Sequence, residues 1–220
     1  MWRVILVVLL TFEAVWGDDP HLVTGRQPAQ VMGMGGAPWL VRPERAAEEA
    51  PDEALDAIGV AKGAVVADIG AGVGYFTWRL ADRVGRTGKV YAVDIQSEML
   101  AELRHNMAER KLTNYEALLG AEDDPHLPAG AVDLALLVDV YHEFSKPQQM
   151  LHKIRAALKP DGRMVLLEYR KEDPKVPIRI EHKMTVAEVK AEIEPQGFRL
   201  EKTIETLPRQ HILIFRRNVM

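Results

Sequence analysis

The sequence predicts an α/β fold: a doubly wound, mostly parallel sheet of seven strands that ends in an antiparallel C-terminal hairpin. Three observations predict it. Short β-branched runs alternate with helix-period segments from Ala64 to Leu158, and such alternation folds as parallel strands joined by right-handed crossovers. Val132 to Val138 is nearly continuous in apolar residues, as a parallel strand covered on both faces should be. Only Pro208-Arg209-Gln210 separates the predicted strands Phe198–Leu207 and His211–Arg216, a connection too short for a parallel pair.

In chain order, the first segment stands apart. Met1-Trp2-Arg3 is a cationic start, Val4 to Leu10 is unbroken aliphatic, and Val15 and Gly17 are small residues before a cleavage point at Asp18. Residues 1–17 thus have the outline of a signal peptide, and the protein is then exported. A misplaced start or a buried N-terminal strand are the alternatives, and a cytoplasmic location goes with them; Glu13 counts against export. The apolar run is far shorter than the ~20 residues of a membrane-spanning helix. Residues 18–45 read as a linker or loosely docked arm, and 46–220 as one domain. Arg42 to Ile58 carries dense mixed charge, with Leu55 and Ile58 at i, i+3 and a break at Pro51. That is a solvated helical face, or a lid over a cofactor.

The first strand is Ala64–Ile69. Tyr75–Val84 follows as a helix with Phe76, Leu80 and Val84 inward. Lys89–Val93 is the second strand, and Ser97 caps a helix whose stripe is Leu100, Leu103 and Met107. Tyr115–Leu119 and Val132–Val138 are the third and fourth strands. Gln148–Leu158 is helical, and Pro160-Asp161-Gly162 turns the chain into strand Arg163–Glu168. Thr185-Val186-Ala187-Glu188 is a capping box that opens the last helix, and Pro195-Gln196-Gly197 closes it.

Composition narrows the function. The 220 residues are 47% hydrophobic and 27% charged, which excludes wholesale disorder and a polytopic membrane protein. A net charge of −4 provides no basic field for nucleic acid. With no cysteine, disulfides, thiolate zinc sites and cysteine nucleophiles are excluded.

The most informative segment is Asp68-Ile69-Gly70-Ala71-Gly72-Val73-Gly74-Tyr75, between a strand and a helix, with Asp94 closing the next strand. Glycines let the backbone turn sharply and approach a ligand, and Asp94 is placed to accept from both hydroxyls of a ribose. The spacing departs from the nicotinamide pattern G-x-G-x-x-G, since Tyr75 stands where its third glycine would be. A carboxylate at Asp68 repels a pyrophosphate but attracts an ammonium. S-adenosyl-L-methionine has an amino-acid tail, a ribose and no phosphate, and it fits this pattern better.

On these residues the chain resembles the class I S-adenosylmethionine-dependent methyltransferases, whose fold is Rossmann-like, and within them the branch of the ubiquinone and menaquinone C-methyltransferases. The resemblance spans Ala64 to Arg216. It implies that Asp68, Gly70, Ala71, Gly72 and Gly74 line the methionine end, that Asp94 holds the ribose, and that Ile95 packs on the adenine. Such families often place an acid near the adenine amino group; here Ala121 follows Gly120, and Glu122 or Asp123 takes the part. Asp139, after the fourth strand, completes the implied set. The acceptor is a small molecule, with no nucleic acid and no transmembrane span expected. A nucleoside-binding module that transfers nothing is the competing reading.

Ligands gather at the carboxyl ends of the strands in such sheets, where Asp139-Val140-Tyr141-His142-Glu143 and Glu168-Tyr169-Arg170 fall. His142 is the candidate catalytic base by residue type; a substrate contact or a structural hydrogen bond are its other readings. Asp139 and Glu168 form a possible cation pair, although no metal is assigned. Trp39, Tyr141 and Tyr169 are candidates for an aromatic acceptor wall. Lys171, Lys175, Arg179 and Lys183 form a basic stretch that is either an anionic-acceptor site or a solvated loop.

Overall fold

The computed structural model describes residues 21–218; residues 1–17, with the signal-peptide outline read above, lie outside them. Three short helices, α1 (Ala37–Leu40), α2 (Arg45–Glu49) and α3 (Pro51–Ile58), precede the sheet. The strands are β1 (Val65–Ile69), β2 (Lys89–Asp94), β3 (Tyr115–Leu119), β4 (Val132–Val138), β5 (Leu158–Tyr169), β6 (Phe198–Ile204) and β7 (Gln210–Arg217). Between them run α4 (Thr77–Val84), α5 (Ser97–Glu109), α6 (Pro147–Ala157) and α7 (Val186–Ile193).

The strand order is β3-β2-β1-β4-β5-β7-β6. Pairings from β3 through β5 are parallel, and both pairings of β7 are antiparallel. The chain begins at the centre, winds out to β3, then returns to the other side of β1. That reversal opens a crevice at the carboxyl ends of β1 and β4, where side chains from both halves of the sheet converge.

Alternation along β4 divides the core. Ala135 and Leu137 join Leu151, Ile154, Val189 and Ile193 beneath α6 and α7. Leu134 and Leu136 join Leu55, Ile58, Leu80 and Val84 beneath α3 and α4. Burying each such leucine contributes about 1.5–3 kcal/mol. The stripe Leu100, Leu103 and Met107 of α5 is buried as its spacing predicts.

Several boundaries differ from the sequence reading. Ser97 is the first residue of α5 rather than its cap: Gln96 holds that position, its amide donates to Asp94 Oδ1, and the Ser97 hydroxyl turns to Glu98. Pro160-Asp161-Gly162 is a bulge inside β5 rather than a turn before it. Val132 pairs with Leu158, and pairing resumes at Leu134 with Arg163. β6 ends at Ile204, leaving residues 205–209 as its link to β7. The Arg170 guanidinium holds this link, pairing with the Glu205 carboxylate and taking the carbonyls of Glu205, Leu207 and Pro208. The Thr185–Glu188 capping box is present in full.

The stretch before α1 is docked. Arg26 pairs with the fully buried Glu192 of α7 at 3.0 Å and donates to the His142 carbonyl at 2.8 Å. Among the described residues, no helix is long and apolar enough to cross a membrane.

Candidate active site

The carboxyl ends of β1, β2, β4 and β5 open on a cavity of about 470 Å³, within the usual range for small-molecule sites. His142 and all the candidate cofactor residues except Gly74 and Asp123 line it.

The glycine loop forms one end. β1 stops where Gly70 adopts φ +74°, and the Gly70 and Ala71 amides both donate to the Val93 carbonyl at 2.9 Å. A Cβ on Gly70 would stand 2.4 Å from Val140 Cγ2, so side-chain packing and backbone conformation both demand glycine there. Gly74 lies outside the cavity and packs against Leu103 and Met107 of α5; it seats the helix behind the loop.

Two carboxylates flank this end. Asp94 accepts from the Gly72 amide through Oδ2 at 2.8 Å and from the Gln96 amide through Oδ1 at 2.9 Å. Burial pushes its pKa up, and these amides oppose the push. A carboxylate offers about four lone-pair directions, so acceptor capacity remains for a ligand. Asp68, 2% exposed, accepts from Thr77 Oγ1 at 2.6 Å. Burial pushes its pKa up to about 6 against the Thr77 hydrogen bond. Ile95 is exposed in the wall, and Glu122 lies there too, accepting from Ser145 Oγ. Asp123 instead points to Lys146, 3.5 Å away.

Asp139 sits between the two ends. It is a non-glycine residue at φ +49°, a conformation that costs of order 1–3 kcal/mol and clusters at functional sites. Its Oδ2 accepts from Gln210 Nε2 at 2.7 Å, whereas buried Oδ1 has no partner among the described residues. Burial, then the charge of Glu49, hold its pKa well above the carboxylate range.

The other end is built around His142, 2% exposed. Its Nδ1 lies 2.7 Å from Glu168 Oε2, and its Nε2 lies 3.2 Å from Nδ1 of His182. With Glu168 ionised, Nδ1 carries the proton and Nε2 is left as an acceptor. Burial is the largest single influence and lowers the His142 pKa, but the charge and hydrogen bond of Glu168, with Glu143 and Asp139, together raise it. Glu168 does not reach the cavity: it is fully buried, and Oε1 accepts from the Tyr141 amide at 3.1 Å. Glu168 is thus engaged behind His142 rather than facing Asp139 across the cavity, as a shared cation would require.

Other expectations divide similarly. Trp39 and Tyr169 line the cavity, but Tyr141 is fully buried core. Of the basic stretch, Lys171 pairs with Glu188 and Lys183 is buried on the Val176 carbonyl, while Arg179 borders the cavity.

The sequence reading passed over three wall features. Arg45 and Glu49, on the charged segment, are buried and joined at 2.7 Å; their opposite charges at i, i+4 were the available signal. The other two are Glu143, named above only within the segment after the fourth strand, and His182, which also borders the cavity.

Comparison with known proteins agrees with this geometry. A family model described as a methyltransferase domain matches residues 61–207. The chain is 32% identical over 117 residues to the ubiquinone/menaquinone biosynthesis C-methyltransferase UbiE of Laribacter hongkongensis, covering 53% of this chain and 48% of that protein. It is 31% identical over 112 residues to the nocamycin O-methyltransferase of Saccharothrix syringae, covering 51% and 40%. The chain thus spans about half the length, or less, of these curated relatives. A crystal structure of a SAM-dependent methyltransferase from Aquifex aeolicus superposes with a TM-score of 0.80 at 26% identity, covering 84% of this chain and 98% of that one.

Proposed function

The chain belongs to the class I S-adenosylmethionine-dependent methyltransferases, and from that premise we propose that it falls in the ubiquinone/menaquinone C-methyltransferase-like branch and methylates a small molecule seated beside His142 and His182. The observation that carries this reading is one cavity with two unlike ends. The glycine loop, Asp68 and Asp94 lie at one end, and the imidazoles at the other.

The wall residues suit the cofactor. Asp94 keeps acceptor capacity for ribose hydroxyls, Asp68 supplies a negative charge for an ammonium, and the unpartnered Asp139 Oδ1 leaves one more hydrogen-bonding position. Bound S-adenosylmethionine supplies a methyl group on a sulfonium, activated for direct displacement. The protein's task is then chiefly alignment, which can contribute up to about 7–11 kcal/mol. Val31, Met32, Leu40, Pro177 and Ile178 give the cavity apolar surface, which suits an acceptor with an apolar body. His142 Nε2 is the site that accepts a proton when the acceptor must lose one.

The test is transfer of labelled methyl from S-adenosylmethionine into a small-molecule extract by the full chain. Label should appear in an extractable product and be lost in Asp94→Ala. Tight cofactor binding with no transfer to any fraction would leave a binding module instead.

A further inference from the structure

Among the described residues, one cluster of metal-ligating groups gathers at the acceptor end. His142 and Glu143 come from the short turn Tyr141–Glu143 after β4, and His182 from the turn Ile180–His182 after β5. One ligand atom from each lies within 4.8 Å of the other two. His142 Nε2 and His182 Nδ1 are 3.2 Å apart. Two nitrogens each ~2.1 Å from a single ion stand about 3.0–3.4 Å apart in octahedral or tetrahedral geometry.

We propose that His142, Glu143 and His182 form a site for a divalent first-row metal ion of the zinc type, open on its cavity side. The outer contacts support it. Glu168 accepts from His142 Nδ1 and so turns the Nε2 lone pair toward the cluster, the carboxylate–histidine arrangement that orients metal-ligating imidazoles. Charge supports it as well. No lysine or arginine is paired with Glu143 among the described residues, and the Glu168 carboxylate stands 2.7 Å behind His142. Other histidines beside acids differ. His211 has both ring nitrogens engaged, by Glu205 and Glu172, and His105 with Glu109 is exposed and has only that one acid.

Three protein ligands leave coordination positions free. All three residues line the cavity, so those positions suit an oxygen of the acceptor, from a hydroxyl, enol or carboxylate. The cation and a proton are alternatives at His142 Nε2. This inference goes beyond the methyl-transfer reading, and its test is independent of turnover.

The full chain, stripped with EDTA and dialysed, is titrated with ZnCl₂ by calorimetry and with Co²⁺ by visible ligand-field absorption. One ion should bind per chain. His182→Ala and Glu143→Gln, each confirmed folded by thermal melting, should weaken Zn²⁺ binding by more than the roughly 10–100-fold that losing an outer partner costs. His182→Asn serves if the alanine variant does not fold, and His105→Ala should bind as the wild type does. Absence of Zn²⁺ binding at micromolar concentrations, or equal affinity in the cluster variants, overturns the proposal. S-adenosylhomocysteine titrated into the same metal-free protein separates the two readings: binding there without Zn²⁺ binding removes the metal site alone.

Discussion

Asp94 and Gly72 are joined by a 2.8 Å hydrogen bond from the loop amide to the carboxylate that closes β2. The bond fixes the glycine loop to the neighbouring strand and sets the acid where the cavity narrows. A hydrogen bond to a charged group is worth about 1.5–3 kcal/mol, and Asp94 is placed to make such bonds with a ribose. Asp94→Ala should therefore weaken S-adenosylhomocysteine binding by roughly 10–150-fold. Calorimetric titration checks this, and unchanged affinity would remove Asp94 from the cofactor site.

Acidification should weaken the same binding through Asp68. Burial places its pKa at about 6, so between pH 7 and pH 5 it takes up a proton and loses its attraction for an ammonium. Affinity should fall by about tenfold over that interval, and Asp68→Asn should flatten the dependence. The stability sign is opposite. A raised pKa in the folded state favours folding at low pH, and that contribution is lost as pH rises through 6. Asp68→Asn should thus raise Tm at pH 7.5.

Gly70→Ala should destabilise the fold as well as disturb the loop. The substitution places a Cβ at φ +74° and 2.4 Å from Val140 Cγ2. Strain and overpacking each cost about 1–3 kcal/mol, and about 2–4 °C of Tm goes with each kcal/mol at this size. Adding Val140→Ala removes the Cγ2 and Cγ1 contacts but leaves a Cβ 2.9 Å away and the backbone strain. The double variant should recover part of the lost Tm, and full recovery would deny the conformational argument.

Glu192→Ala should be costly. Glu192 is fully buried and receives Arg26 at 3.0 Å, and His21 Nε2 stands 3.6 Å away. Removing one partner of a buried pair costs about 3–5 kcal/mol, because the other charge is left without compensation. Urea denaturation measures the loss. Because Arg26 also donates to the His142 carbonyl, hydrogen exchange at the 141–143 turn should rise in the same variant.

Much of the sheet was legible because its causes are local. Val132–Val138 reads as a buried strand from its own side chains, and Thr185 with Glu188 announces a helix start within four residues. The glycine loop was legible because positive φ at Gly70, Gly72 and Gly74 leaves a trace in residue choice. What escaped depends on distant partners. The link after β6 is held by Arg170, 35 residues before Glu205. Arg45 and Glu49 carry the charge pattern of a solvated helix and are buried only because α2 lies against the cavity. Glu168 looked free for a cation because nothing local shows that the turn after β4 folds back onto it. His142 and His182, 40 residues apart, meet only through the crossover after β5.

The most direct test of the central claim is a crystal structure of the full chain soaked with sinefungin, an analogue of the methyl donor. The account predicts density in the cavity with the ribose against Asp94 and the amino-acid tail beside Asp68 and the glycine turn. An analogue bound elsewhere, or a cavity that stays filled by its own side chains at saturating concentration, would contradict it.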